Sequence, residues 1–115
     1  MSILFIDQVD ITPVTSDVGT RSETEGADVS SVAYVEFENK IIYTSQGQPV
    51  RAISFFMLPS GTDIKYGDYI TITAMRGRTP TTEESVRRKV TGVFPVAGLG
   101  KESHLEVIVS GGSRG

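Results

Sequence analysis

The feature that most constrains this chain is an apolar/polar alternation of period two. It recurs in six separate segments, and no segment carries a convincing helical period. Residues two apart on a strand share a face, so each segment offers one apolar face that must be buried against others like it. The segments are residues 3–14, 31–45, 50–59, 69–77, 88–96 and 104–109, rich in Val, Ile, Thr, Tyr and Phe and separated by turn clusters. Six short strands with no helix to cover a sheet point to an all-β fold, a small antiparallel β-barrel with long polar loops or a compact sandwich. At 115 residues the chain has room for one modest core, so residues 1–115 are read as a single domain.

Individual segments carry finer expectations. In the first, Ile3, Phe5, Val9 and Ile11 share a face, Asp7 breaks it, and Pro13 suits a strand end or edge. In the second, Ala33, Val35 and Phe37 point inward while Tyr34, Glu36 and Glu38 point outward. Glu38, Asn39 and Lys40 then interrupt the alternation as a bulge would. The third has two apolar faces, Val50, Ala52, Phe56 and Leu58 against Ile53, Phe55 and Met57, and therefore asks for cover on both sides. The fourth puts Ile70, Ile72 and Ala74 on one face, and the sixth turns Leu105, Val107 and Val109 inward. The fifth is expected to pair with the fourth as a hairpin. Residues 16–30 are almost wholly polar and, with 77–87, are expected to be mobile loops.

Twelve Gly and five Pro in an otherwise ordinary composition fit many turns in a folded chain. With no Cys there is no disulfide, thiolate metal site or Cys nucleophile, and one His cannot build a multi-histidine metal site. No apolar run approaches the ~20 residues of a membrane span, and "MSILFID" lacks the form of a secretory signal, so a soluble product made in the cytoplasm is expected. No cofactor is expected. The net charge of −3 is uneven: residues 1–63 carry nine acids and three bases, residues 64–115 five acids and eight bases. Such a split suits head-to-tail contact between copies.

Candidate chemistry is sparse. His104 and Glu106 lie two apart on one strand and share a face, which suits an acid/base pair or two metal ligands; the plainer reading is an outward polar face. Glu36 with Glu38 and Asp7 with Asp10 are paired carboxylates, for which solvation or contact with a neighbour's cations is the plainer reading. "GLGKES" has the residues of a phosphate loop without its spacing or its helix. "RGRTPTTEESVRRK", residues 76–89, gathers Arg76, Arg78, Arg87, Arg88 and Lys89 against Glu83 and Glu84. Phosphate contact is one reading and a solvated or subunit-contacting loop the other, since the stretch lacks the aromatic residues that single-strand readers interleave with cations. Thr82 is a possible N-cap there, but with Val86 the sole apolar residue any helix is a single solvated turn.

The order "VDITPV", "SDVGT", "VAYVEFE", "FFMLP", "IKYGDYITI", "KVTGVFPV", "HLEVIV" resembles the small head-closure, or head-tail connector, proteins of long-tailed bacteriophages. "IKYGDYI" with the late "HLEV" is its most characteristic pair. The acidic loop at 16–30, followed directly by "SSVAYV" without an aromatic-rich segment, departs from many members. The resemblance implies a virion structural protein, made in the host bacterial cytoplasm, that forms a homo-oligomeric ring, typically of twelve copies, below the portal and adaptor. The ring would retain packaged DNA, with non-specific contact to it, and offer the tail its attachment platform; no catalysis is implied. Arg76, Arg78, Arg87, Arg88 and Lys89 are then candidate DNA-channel or subunit contacts. Asp17, Arg21, Glu23, Glu25, Asp28, Glu36 and Glu38 are candidate inter-ring or inter-subunit contacts. The alternative is an oligonucleotide-binding barrel that takes single-stranded nucleic acid through the 76–89 basic hairpin.

Overall fold

Apolar side chains at alternate positions share one face of a strand, and six such faces close around a common interior in the computed structural model of this chain. The structure describes residues 5–17, 19, 22–44, 46–97 and 103–110. Its strands are β1 (Asp7–Thr12), β2 (Val14–Asp17), β3 (Ser22–Glu25), β4 (Val29–Tyr43), β5 (Pro49–Pro59), β6 (Tyr69–Met75), β7 (Arg88–Ala97) and β8 (Ser103–Val109). Six of them form a closed antiparallel barrel in the order β1-β4-β5-β8-β7-β6, and β2 and β3 form a separate two-stranded sheet. No helix long and apolar enough to cross a membrane occurs among the described residues.

The expected inward residues make the core. Val9, Ala33, Val35, Phe56, Ile70 and Val107 are essentially inaccessible, and Phe37, Leu105 and Val109 pack against them from the rim. Ala74 is only half-buried, and Met75 takes the core position at that end of β6. The break expected at Glu38–Lys40 is present: Phe37 pairs with Ile53 and Ile41 with Arg51, so β4 takes four steps where β5 takes two. The first segment differs. β1 runs from Asp7 to Thr12, Pro13 separates it from β2, and Ile3 lies outside the described residues.

Two segments depart from the sequence expectation. Residues 16–30, read as irregular, contain the β2/β3 hairpin, paired from Val14↔Glu25 to Asp17↔Ser22. All four residues of β3 are exposed, so the hairpin leaves almost no apolar periodicity in the sequence. β6 and β7 are not a simple hairpin: they pair only at Tyr69↔Lys89 and Ile70↔Arg88, both at the starts of their strands. The connection at 76–87 therefore turns back toward the barrel instead of projecting from two paired stems. It begins with a tight turn in which Met75 and Arg78 exchange both backbone hydrogen bonds, at 2.9 and 2.8 Å. Arg76 (φ 49°) and Gly77 (φ 80°) supply the two left-handed residues such a turn needs. It then reaches β5, where Arg51 N donates to Glu83 O at 3.1 Å.

Candidate functional site

Within the basic stretch, the turn after Pro80 is a reciprocal cap. Glu84 N donates to Thr81 Oγ1 at 3.3 Å and Thr81 N donates to Glu84 Oε1 at 3.0 Å. The capping residue is thus Thr81, not Thr82, and the turn is not solvated, because Glu84 is buried. Its carboxylate also accepts from Arg78 at 2.9 and 3.1 Å and from Arg51 at 2.9 Å. Hydrogen bonding from Arg78 above all, helped by Thr81 and Arg51 and opposed by burial, pulls the Glu84 carboxyl down to about 2. Arg51 lies in addition 4.2 Å from the Phe37 ring centre.

Arg88 corrects the reading of this stretch as a set of accessible cations. It is 1% exposed and is the largest fully buried side chain. Its fork donates to four carbonyls, those of Glu84 (2.8 Å), Val86 (3.1 Å), Arg51 (2.8 Å) and Glu83 (3.2 Å). Burial lowers its pKa to about 10, against the pull of Glu84. A guanidinium held in this way ties the connection to β5 and is closed to phosphate or a neighbouring subunit.

The other cations are accessible but engaged. Arg76 N donates to Asp7 Oδ1 at 2.9 Å, its guanidinium lies 3.8 Å from that carboxylate and 5.5 Å from the Tyr34 ring centre. Asp7 itself is buried and also accepts from Val35 N at 2.9 Å, which explains an acid on the inward face of β1. Arg87 makes two bonds to Glu25, at 3.0 and 2.6 Å, and its guanidinium stacks 3.8 Å from the centre of Tyr69. That pairing lowers the Glu25 pKa and raises that of Arg87. Lys89 stands 3.9 Å from Glu23.

The acids of the first half are therefore placed largely within their own chain. Glu23 and Glu25 meet Lys89 and Arg87; Asp28 accepts from Thr12 Oγ1 at 2.7 Å; Glu36 accepts from Tyr34 Oη at 3.0 Å; Glu38 lies 3.6 Å from Lys40. The Asp17 side chain and Arg21 lie outside the described residues. Asp10 accepts from Ser30 Oγ at 2.9 Å and, three positions along a strand from Asp7, faces the other way. His104 shares the outward face of Glu106 but is largely covered there: its side chain is 11% exposed and its Nε2 lies 3.6 Å from Glu106, with neither ring nitrogen hydrogen-bonded among the described residues. No group of three or more His, Asp or Glu able to hold a metal occurs among the described residues.

The strand with two apolar faces does present one outward. Register places Tyr34, Met57, Glu106 and Phe94 in a row across β4, β5, β8 and β7, with Phe55 one step along beside Glu36. Phe55 and Met57 are half-buried and Phe94 is 55% exposed. The Phe94 ring lies back over Gly92, where an added Cβ would sit 2.8 Å from it, so this exposed aromatic is held flat against the sheet. A separate cleft of about 320 Å³ is lined by Ile11, Pro13, Val29, Thr62 and Asp63 among others. No family model matches the chain, and neither the curated proteins nor the solved structures give a match.

Proposed function

We propose that this chain is a structural virion protein, a head-closure or head-tail connector subunit of a long-tailed bacteriophage. It assembles as a ring below the portal and adaptor, retains packaged DNA and offers the tail its attachment platform. Its work is assembly and involves no catalytic centre. The observation that carries this reading is the outward row Tyr34, Met57, Glu106, Phe94 on the closed barrel, beside a sequence whose segments resemble that family in order except in the acidic loop at 16–30. A flattened, half-exposed aromatic beside a Met on a sheet face fits a surface that a neighbouring subunit covers. The test is electron microscopy of the purified protein mixed with its portal complex. A ring added below the portal is expected, and a protein that never joins one would sink the idea.

A further inference from the structure

Of the five cations in residues 76–89, Arg78 and Arg88 are committed to Glu84 and to buried carbonyls, and Arg76 to Asp7 and the Val35 carbonyl. Arg87 and Lys89 differ. Both are 43–45% exposed at the side chain, and both meet exposed carboxylates of the β2/β3 hairpin. Glu23 and Glu25 are alternate residues of β3, a repeat of about 6.8 Å along that strand, and Arg87 and Lys89, which flank the buried Arg88 where β7 begins, each meet one of them. That repeat is on the scale of the step between neighbouring phosphates in an extended nucleic-acid strand. Tyr69 adds what the linear sequence lacks: it pairs directly with Lys89 and lies under the Arg87 guanidinium. Two cations and an aromatic ring on one patch are the elements of a single-strand platform.

We propose that Arg87, Lys89 and Tyr69 form a binding site for the phosphate backbone of single-stranded nucleic acid, which the chain's own β2/β3 hairpin occupies in the free subunit. Glu23 and Glu25 stand in for two successive phosphates. β3 contributes no buried side chain, and the ion pairs that hold it are exposed, so a polyanion competes with it at low cost. The site belongs to the isolated subunit and stands apart from ring assembly, so either idea can fail without the other.

The test is fluorescence anisotropy of a labelled single-stranded oligonucleotide at low salt, with unfolding midpoints as the fold control. Glu23→Gln/Glu25→Gln is expected to bind several-fold more tightly than the wild type, and adding Arg87→Gln/Lys89→Gln is expected to abolish the gain. The double and the quadruple variant should differ in log–log salt slope by about 1.4, two cations at roughly 0.7 each. Glu25→Gln alone, which removes one carboxylate, should show a smaller gain in the same direction and serves if the double variant does not fold. Glu36→Gln/Glu38→Gln makes the same change in net charge elsewhere on the barrel and should give less. No gain on unmasking, an equal gain in that control, a gain that survives loss of Arg87 and Lys89, or tighter binding of duplex than of single strand would each overturn the proposal.

Discussion

At the scale of the residue, the basic stretch shows how charge type misleads when burial is unknown. Arg87 and Arg88 are neighbours of one chemistry, yet one stacks on Tyr69 at the surface and the other fills the space between β5 and the 83–86 backbone. Nothing in "SVRRK" distinguishes them; the one local sign of order is Thr81 followed three residues later by Glu84, the spacing of a capping box. Arg88→Lys keeps the charge but loses the planar fork, stranding several carbonyls, and is expected to cost about 2–4 kcal/mol in urea unfolding. Arg87→Gln should stay within about 1 kcal/mol, because an exposed pair contributes little. Equal effects would mean that Arg88 is not the tie described here. Glu84 sets a pH dependence. Its folded value of about 2 lies below the ordinary 4.5, so its stabilisation is fully present above about pH 4.5 and is lost as pH falls toward 2. Glu84→Gln is expected to cost about 2–3 kcal/mol at pH 7, allowing for solvent screening of its half-exposed arginine partners. It should also flatten the loss of stability between pH 4.5 and 3; an unchanged acid slope would count against the Glu84 cluster.

At the scale of the element, what was legible is what buries a face. Val9 and Ile11, Ala33 and Val35, Ile70 and Ile72 each mark an inward face by spacing alone, and the break at Glu38–Lys40 appears as the register shift between Phe37 and Ile41. The β2/β3 hairpin was not legible, because Ser22–Glu25 bury nothing and polar strands leave no period to read. Its root is held by two further bonds: Gly26 N donates to Pro13 O at 2.8 Å and Val14 N to the buried Asp68 carboxylate at 3.0 Å. The two segments grouped in the sequence as mobile loops should therefore behave differently in the free subunit. Backbone amides tied into the 81–88 turn, that of Ser85, which donates to Thr81 O, and that of Arg51 on β5, which donates to Glu83 O, are expected to exchange slowly, with protection near that of the barrel. Amides of β3 should exchange faster, and faster still at high salt, where the Arg87–Glu25 and Lys89–Glu23 pairs are screened. Hydrogen exchange followed by mass spectrometry checks this, and β3 protection that ignores salt would contradict an electrostatic latch.

At the scale of the whole molecule, closing the barrel removes most of the free edge that an open sheet of these strands would expose and leaves the β2/β3 hairpin and the briefly paired β6–β7 seam, so the proposed contact between copies is expected to use faces and arms. The unequal charge of the two halves of the sequence, which suggested head-to-tail contact, is partly spent inside the subunit: Glu23 and Glu25 meet Lys89 and Arg87 across the fold. Charge is thus a weaker argument for assembly in three dimensions than in the sequence, and the apolar row through Met57 and Phe94 becomes the stronger one. Phe94→Asp puts that to the test. The side chain is more than half exposed and contributes little to the core, so the variant should keep its unfolding free energy within about 1 kcal/mol. A carboxylate in the same row as Glu106 would nevertheless oppose apolar cover and should prevent the subunit from joining a portal complex in electron micrographs. A second variant separates loss of shape from added charge. Gly92→Ala places a methyl group where the Phe94 ring now lies, lifting the ring from the sheet without altering charge, and should weaken assembly to an intermediate degree. Rings that form normally with Phe94→Asp would move the contact surface away from this face, while failure of both folded variants to assemble would tie it to the flat seating of Phe94.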